Sequence, residues 1–549
     1  MKKYCILFLL ILYSLVSSAQ REKYNSDGPV LASSPGLVVG IVIDQMRYDY
    51  LYRFWNKYSN DGFKRLVNNG FVFGNANYTY VPTYTAPGLA CIYTGTTPSV
   101  NGIVSNEWYD PKQRKSIYCV GDSTVMPVGT TSISGKMSPR NLLSTTFTDE
   151  LRLATNMSSK VIGISLKDRG AILPAGRSAN AAYWHDPYTN NWVTSTYYMK
   201  ELPQWAGNFN KRKLVDSLLS TKWTTLLPIE QYTESTADDN SYEGLFKTET
   251  KPVFPHNLPL LKDSVSELIR ETPFGNTFTK EFAIAAVRGE NIGKGKATDF
   301  LAISFSSTDY VGHKYGTNAI ELEDTYLRLD RDIASLLKFL DEWTGNNYLL
   351  FLTADHGAAN NPQYARDRRL NAETFESGVL IDTLKKYFNQ IYGTDTLVLN
   401  ASANNIYLNR SYIESKKMNL QEIQDKCSEF VKKQKGISAT MTATELARGI
   451  NRTGIYSFMQ NGFNVQRSAD VMIQLLPGWV DWFTKTGTSH GTAYSYDTHV
   501  PLIFFGKKIR PGFTADPVSI CDIAPTISTL LNIEFPSGNT GKPLAPLFK

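Results

Sequence analysis

Five short apolar runs, four of them followed at once by residues able to do chemistry, constrain this chain more than any other feature. They are Leu37 to Ile43, Lys160 to Ser165, Phe300 to Phe305, Tyr348 to Thr353 and Pro501 to Phe505. β-Branched and aromatic residues dominate them, and each stops at Asp, Ser, Gly or Lys, the signature of a buried strand. Apolar residues fall on both parities instead of alternating, so a sheet covered on both faces is predicted. Between the runs lie helical patterns. The clearest spans Ile320 to Trp343, where Leu322, Tyr326, Leu329, Ile333, Leu337 and Leu340 recur at three- and four-residue spacing. That alternation argues for an α/β layered fold.

Asp44 follows the first run, Lys167 and Arg169 the second, Asp309 the third, Asp355 and His356 the fourth. Open α/β sheets bind ligands beyond the carboxyl ends of their strands, so these groups are expected to converge although more than three hundred positions separate them. A solvated loop would also be polar at any one strand end. Four together favour a site.

Two long stretches lack the strand signature. Residues 171–295 are rich in Tyr, Trp, Asn, Pro and Thr, and residues 366–480 mix helical pattern, as in Leu420 to Lys433, with polar loops. Both are too long for structureless connections. They are read as insertions capping a core made of 20–170, 296–365 and 481–549. Residues 1–19 are read as a secretory signal peptide: Lys2 and Lys3, an apolar stretch from Tyr4 to Val16, then Ser17-Ser18-Ala19. A membrane span needs roughly 18 to 20 apolar residues, and this stretch is shorter. The mature protein is expected to be periplasmic or secreted, monomeric and without a membrane span. Cys91, Cys119, Cys427 and Cys521 remain in it, and their pairing is not readable from the sequence.

The 549 residues are 42% hydrophobic and 20% charged, which excludes a disordered chain. No basic run of the kind that follows a nucleic-acid backbone occurs, and no nucleic-acid-binding domain is expected. Six histidines and five cysteines are too few for a Cys/His-rich metal array, so any metal site must lean on carboxylates. SSTDYVGHKYG places Asp309 and His313 four apart, LTADHGAA joins Asp355 to His356, and GTSHG supplies His490 just ahead of the last strand. Carboxylate oxygen and imidazole nitrogen suit zinc, although each motif alone could be a satisfied Asp–His hydrogen bond. In PTYTAPGLACIYTG, Thr85 precedes Ala-Pro-Gly at a helix start. An N-cap role would explain it without catalysis. A hydroxyl there also sits on the positive end of a helix dipole. Asp44, Asp309, His313, Asp355, His356 and His490, with Thr85 if ionised, make seven ligands, enough for two metals with open positions. Two metals ~4 Å apart form a clamp for in-line displacement at phosphorus. Coordination also activates a weak Thr nucleophile without a separate base.

The ordered set IVID, PTYTAPG, NGIVSN, LKDRG, STDYVGH, TADHG and GTSHG resembles the alkaline phosphatase superfamily, and within it the secreted bacterial PafA-type phosphatases with a threonine nucleophile. The resemblance implies an alkaline-phosphatase-like three-layer core with a mostly parallel central sheet. It makes Thr85 the residue phosphorylated in a covalent intermediate, and it implies two Zn2+ ions. One would be held by Asp44, Thr85, Asp355 and His356, the other by Asp309, His313 and His490. Asn106, twenty-one residues after Thr85, matches the donor to a non-bridging phosphate oxygen. Lys167 and Arg169 match a Lys-x-Arg pair that contacts phosphate in this branch. A monoester dianion needs such cations more than a diester does. Phosphate monoesters are therefore the expected substrates, with a phosphodiesterase/nucleotide pyrophosphatase on the same scaffold as the alternative and a non-catalytic secreted binding protein as a remote one. A sulfatase fits poorly, because Thr85-Ala86-Pro87-Gly88-Leu89 lacks both the Cys/Ser and the Arg of that branch. Leu89 stands where many relatives carry histidine and is read as a packing difference. Thr83 is a second candidate hydroxyl. For His185, His256 and His499 a structural role is expected.

Overall fold

The computed structural model describes residues 34–548 except 112, 264–266, 403, 450–452 and 483. The signal peptide assigned to residues 1–19 lies outside the described residues.

Leu37–Ile43 is one of five adjacent parallel strands. Asp299–Phe305, Val161–Ser165 and Ala181–Asp186 follow on one side, and Tyr348–Thr353 lies on the other. Antiparallel neighbours, among them Leu502–Gly506 and Asn191–Ser195, extend this to a ten-stranded sheet. Every residue of the five parallel strands is buried, which is why both parities are apolar. Removing each Ile or Leu of these strands from water contributes at most about 1.5–3 kcal/mol.

Register places the site. Ile43 pairs with Phe305, Val42 with Thr353, and Ser304 with Ser165, so four strands end within about one residue of each other. The polar groups that follow must therefore share one edge.

The Thr85–Thr94 helix is buried along its whole length. Gly40 lets it lie close to the sheet: a Cβ there would come within 2.6 Å of the Tyr93 hydroxyl and 2.7 Å of the Phe351 ring. At its other end Cys91 Sγ lies 3.0 Å from Cys521 Sγ, and both residues are buried.

The stretch 171–295 is not wholly an insertion, since Ala181–Asp186 and Asn191–Ser195 are strands of the central sheet. Polar residues at the ends of AAYWHD and NWVTS shorten their apolar runs and hid them from an apolar-run criterion. The rest of the stretch mixes helices, the longest Phe274–Glu290, with loop segments, one of which is tied to the Ile320–Thr344 helix. Buried Asp324 accepts from Trp223 Nε1 at 2.7 Å, from the Tyr232 hydroxyl at 2.6 Å and from the Leu226 amide at 2.6 Å.

Residues 366–480 build their own four-stranded sheet, in the order Val398–Ser402, Asn405–Leu408, Val471–Leu475, Ile437–Thr442. It carries a separate apolar cluster that includes Leu384, Phe388, Ile423 and Val431. The stretch leaves and rejoins the core at one place, where Glu373–Phe375 pairs in parallel with Trp479–Asp481. Among the described residues no helix is long and apolar enough to cross a membrane.

Candidate active site

Just past the first strand, Asp44 is fully buried and the chain turns at Gln45 with φ +64°. The turn lets Gln45 reach two other strand ends. Its backbone N–H donates to Asp355 Oδ1 at 3.2 Å, and its side-chain amide donates to Asp309 Oδ1 at 2.7 Å. Gly312 makes room, because a Cβ there would lie 2.0 Å from Gln45 Oε1. Sequence reasoning missed Gln45. Its only signal was adjacency to Asp44, since glutamine seldom adopts the left-handed region.

Asp309 and His313 lie one turn apart on the Ser307–Tyr315 helix, with Nε2 3.1 Å from Asp309 Oδ1. All three expected histidine ligands are oriented alike. His313 Nδ1 meets the Thr488 carbonyl at 2.8 Å, His356 Nδ1 that of Gly357 at 2.9 Å, and His490 Nδ1 that of Thr83 at 2.7 Å. A carbonyl only accepts, so each Nδ1 carries the proton and each Nε2 presents a lone pair. For His356 and His490, burial holds the imidazole below its usual range, which keeps it neutral. For His313, burial acts the same way but Asp309 outweighs it and raises the pKa.

Those lone pairs face carboxylates. His356 Nε2 is 3.4 Å from Asp44 Oδ1 and 3.8 Å from Asp355 Oδ1, and His490 Nε2 is 3.7 Å from Asp309 Oδ1. Asp44 Oδ1 and Asp355 Oδ2 are buried without a hydrogen-bond partner. Lone pair against lone pair in a buried site is unfavourable unless a cation lies among them. The donor set, hard oxygen and imidazole nitrogen, fits a divalent ion. Ligand atoms of Asp44, Asp355 and His356 lie within 4.8 Å of one another, and so do those of Asp309, His356 and His490. The second group departs from the expected Asp309, His313, His490 set. The His356 and His490 rings stack at 3.6 Å between centroids, which puts His356 between both groups, whereas His313 leans on Trp482 at 4.8 Å.

Lys167 Nζ spans the carboxylates, 2.7 Å from Asp44 Oδ2 and 2.6 Å from Asp309 Oδ2. Burial opposes its charge, but the two aspartates raise its pKa. Asp44 is nonetheless pushed up to about 8 by burial and by Asp309 and Asp355, and Asp355 to about 7, chiefly by burial. Asp309 goes the other way: burial is outweighed by His313 and Lys167, and its pKa falls well below the usual carboxylate range. One ammonium among three carboxylates is too little positive charge to hold all of them ionised.

Thr85 differs from expectation in a way that matters. The N-cap is Tyr84, whose carbonyl accepts the Gly88 N–H at 2.9 Å, and Thr85 is the first helical residue. Its hydroxyl makes no cap and lies 3.5 Å from His356 Nε2. Gly88 allows the approach, because a Cβ there would lie 2.2 Å from the Asp355 carbonyl oxygen. Asn106 Oδ1 accepts the Ala86 N–H at 2.9 Å, which ties the amide to the same helix start and turns its NH2 outward. Thr83 is engaged elsewhere, with the Thr492 carbonyl at 2.9 Å.

Arg169 and Lys167 diverge. Arg169 Nη1 donates to the Tyr118 hydroxyl at 2.9 Å, Tyr118 donates to Asp168 at 2.6 Å, and Arg169 Nε is buried without a partner. Sequence reasoning missed Tyr118. Both cations line a cavity of about 290 Å³ with Tyr310 and Arg270. A larger cavity of about 810 Å³ opens on the other side, with Tyr84, Asn106, His313 and His490 in its wall.

The remaining positions have packing or structural partners. Leu89 is fully buried in the core. His185 accepts from Arg270 Nε at 3.3 Å, His256 sits between Glu249 and Glu321, and His499 stacks on Tyr48.

Residues 38–499 match the family described as type I phosphodiesterase / nucleotide pyrophosphatase. The chain is 46% identical to alkaline phosphatase PafA of Elizabethkingia meningoseptica, over 93% of this chain and 94% of that protein. It is 43% identical to alkaline phosphatase PhoV of Synechococcus elongatus over 98% of each. The crystal structure of wild-type PafA superposes with a TM-score of 0.91 at 45% identity, covering 93% of this chain and 98% of that one. With the parallel sheet, the strand-end carboxylates and the histidines in place, this chain belongs to the type I phosphodiesterase / nucleotide pyrophosphatase family of the alkaline phosphatase superfamily.

Proposed function

We propose that the protein is a two-zinc alkaline phosphatase that hydrolyses phosphate monoesters through a phosphothreonine at Thr85. The observation that carries the reading is the shared orientation of His313, His356 and His490, each donating Nδ1–H to a backbone carbonyl and aiming Nε2 at buried carboxylates, with the Thr85 hydroxyl 3.5 Å from His356 Nε2. Two relatives at 43–46% identity bear the name alkaline phosphatase.

Asp44, Thr85, Asp355 and His356 would hold one ion, and Asp309, His313 and His490 the other. When bound, the pair supplies Lewis acidity at the attacking and leaving oxygens and lowers the Thr85 hydroxyl pKa. Thr85 Oγ1 attacks phosphorus, forming the P–O bond to the protein as the ester P–O bond breaks and the alcohol departs. Asn106 and Arg169 donate to non-bridging oxygens, and Lys167 adds positive charge at the same group. Water then cleaves the Thr85–phosphate bond and regenerates the hydroxyl. Arg169 keeps a buried Nε without a partner, a free donor that the third oxygen of a dianion would use.

The test is hydrolysis of a chromogenic phosphate monoester before and after chelation and zinc re-addition, with acid-quenched protein examined for phosphate on Thr85. An inert protein, or chelator-insensitive turnover, would refute the reading. The phosphodiesterase alternative is judged by kcat/KM on an aryl phosphate against its alkyl diester. Lys167→Ala and Arg169→Ala are expected to hurt the monoester more, and equal losses would remove the basis for the monoesterase. We further propose that residues 1–19 are a cleaved signal and that the mature chain is a periplasmic or secreted monomer, with 366–480 as a cap. N-terminal sequencing of the exported protein and its mass in solution test this.

A further inference from the structure

The two cavities beside the candidate centre differ in charge. Lys167, Arg169 and Arg270 line the smaller together with Asp168 and Glu267, so both signs are present there. The larger, walled on the inside by His313 and His490, has Glu376, Asp382 and Asp481 in its lining and, among the described residues, neither Lys nor Arg. In-line displacement places the departing alcohol opposite Thr85, on the side of His313 and His490. The body of the leaving group therefore emerges into the larger cavity, a step that rests on the function proposed above.

Three observations bear on what fits there. The Ser377–Tyr392 helix begins at this cavity and would favour an anion. Asp481, however, accepts hydrogen bonds from both the Ser377 backbone and its side chain, which neutralises that helix start. Glu376 precedes the helix and Asp382 lies in its second turn, both exposed toward solvent. Finally, the rings of Phe375 and Trp482 form part of the wall, and aromatic faces attract ammonium groups. Phe375 and Asp481 are opposite each other in the parallel pair that closes the 366–480 stretch, so one local structure sets both the acid and the ring.

We infer that the leaving-group side selects phosphate esters of alcohols bearing an ammonium group, such as choline or ethanolamine, over esters whose alcohol carries a further anion. A carboxylate about 8 Å from the ammonium in a water-like dielectric favours it roughly two- to threefold, so Glu376 and Asp382 together account for roughly fivefold.

The measurement is kcat/KM for choline phosphate, for its uncharged isostere with tert-butyl in place of trimethylammonium, and for the phosphate ester of hydroxypropanoate. The quantity read is the cationic-to-neutral ratio in wild type against Glu376→Gln/Asp382→Asn, because the ratio between proteins cancels intrinsic leaving-group reactivity. The ratio is expected to fall roughly fivefold in the double variant and to recover the anionic ester in Glu376→Lys/Asp382→Lys. A ratio unchanged by both pairs overturns the inference. If the neutral ester is hydrolysed but shows no charge dependence, only this inference fails. If wild type hydrolyses none of the three, the proposed function fails with it.

Discussion

The centre and its outer wall are built by different means. Asp44, Asp309, Asp355 and His356 stand on or just past parallel strands locked in register, and each is buried. The larger cavity's outer wall comes from 366–480, which has its own sheet and apolar cluster; its chain ends pair at Glu373–Phe375 and Trp479–Asp481, and Phe458, Asn461 and Arg467 bond the core at Val81, Thr79 and Gly102. The difference teaches where each property resides. Chemistry depends on strand ends that cannot move independently, whereas the outer wall depends on a unit with its own sheet and apolar cluster. Substitutions on the two sides should therefore separate turnover from stability.

The largest effect is expected at Thr85. Thr85→Ala should lower kcat on the order of 10⁴-fold or more, as removal of a nucleophile does, with no shift in the thermal melt beyond a few degrees. Thr85→Ser should restore much of it. Retained activity in the alanine variant would place the chemistry elsewhere.

Next comes Gln45, which holds carboxylates from two other strands. Gln45→Ala keeps all seven expected ligands and should weaken metal affinity by roughly 10–100-fold, as loss of a ligand-orienting group does. Titrating the chelated protein with zinc by calorimetry reads this directly. An unaltered affinity would mean that the left-handed turn at Gln45 is only a feature of the backbone.

Much of this was legible beforehand because parallel buried strands write themselves as apolar runs, and because residues such as Asp355-His356 follow them immediately. What was not legible depended on geometry across strands. Gln45 and Tyr118 act through partners 264 and 51 positions away. Thr85 was read as an N-cap because Thr and Pro occur together at a helix start, yet Tyr84 takes that position. Ala181–Asp186 escaped because WHD ends it with polar groups that are satisfied in the core.

The outer wall gives the converse case. Leu384 is fully buried within the 366–480 cluster. Leu384→Ala should cost about 2–5 kcal/mol of stability in that unit, while kcat on a small aryl phosphate changes less than about threefold. Denaturant melts with parallel assays check the pair of outcomes. A collapse of turnover at temperatures where the core sheet is intact would show that the wall also holds the centre in place.

The smallest effect concerns the loop segment around His256, which that histidine fastens to the Ile320–Thr344 helix through Glu249 at 2.7 Å and Glu321 at 3.1 Å. Burial disfavours the imidazolium, but the two glutamates outweigh it and raise the pKa from 6.5 to about 9. Glu321 itself is raised, by burial first, against the pull of His256. The folded protein thus holds a proton at His256 that the unfolded chain has released above about 6.5. The stabilisation is complete below that pH and is lost as pH rises through about 9. Wild type should therefore lose a few degrees of Tm between pH 7 and 10 relative to His256→Gln, whose amide does not titrate. Parallel Tm curves for the two proteins would contradict the charged pair. A phosphatase working at alkaline pH would then be loosening a segment whose His256 ring lies 5.6 Å from that of Tyr315, on the helix that carries Asp309 and His313, in the same range where its carboxylates ionise.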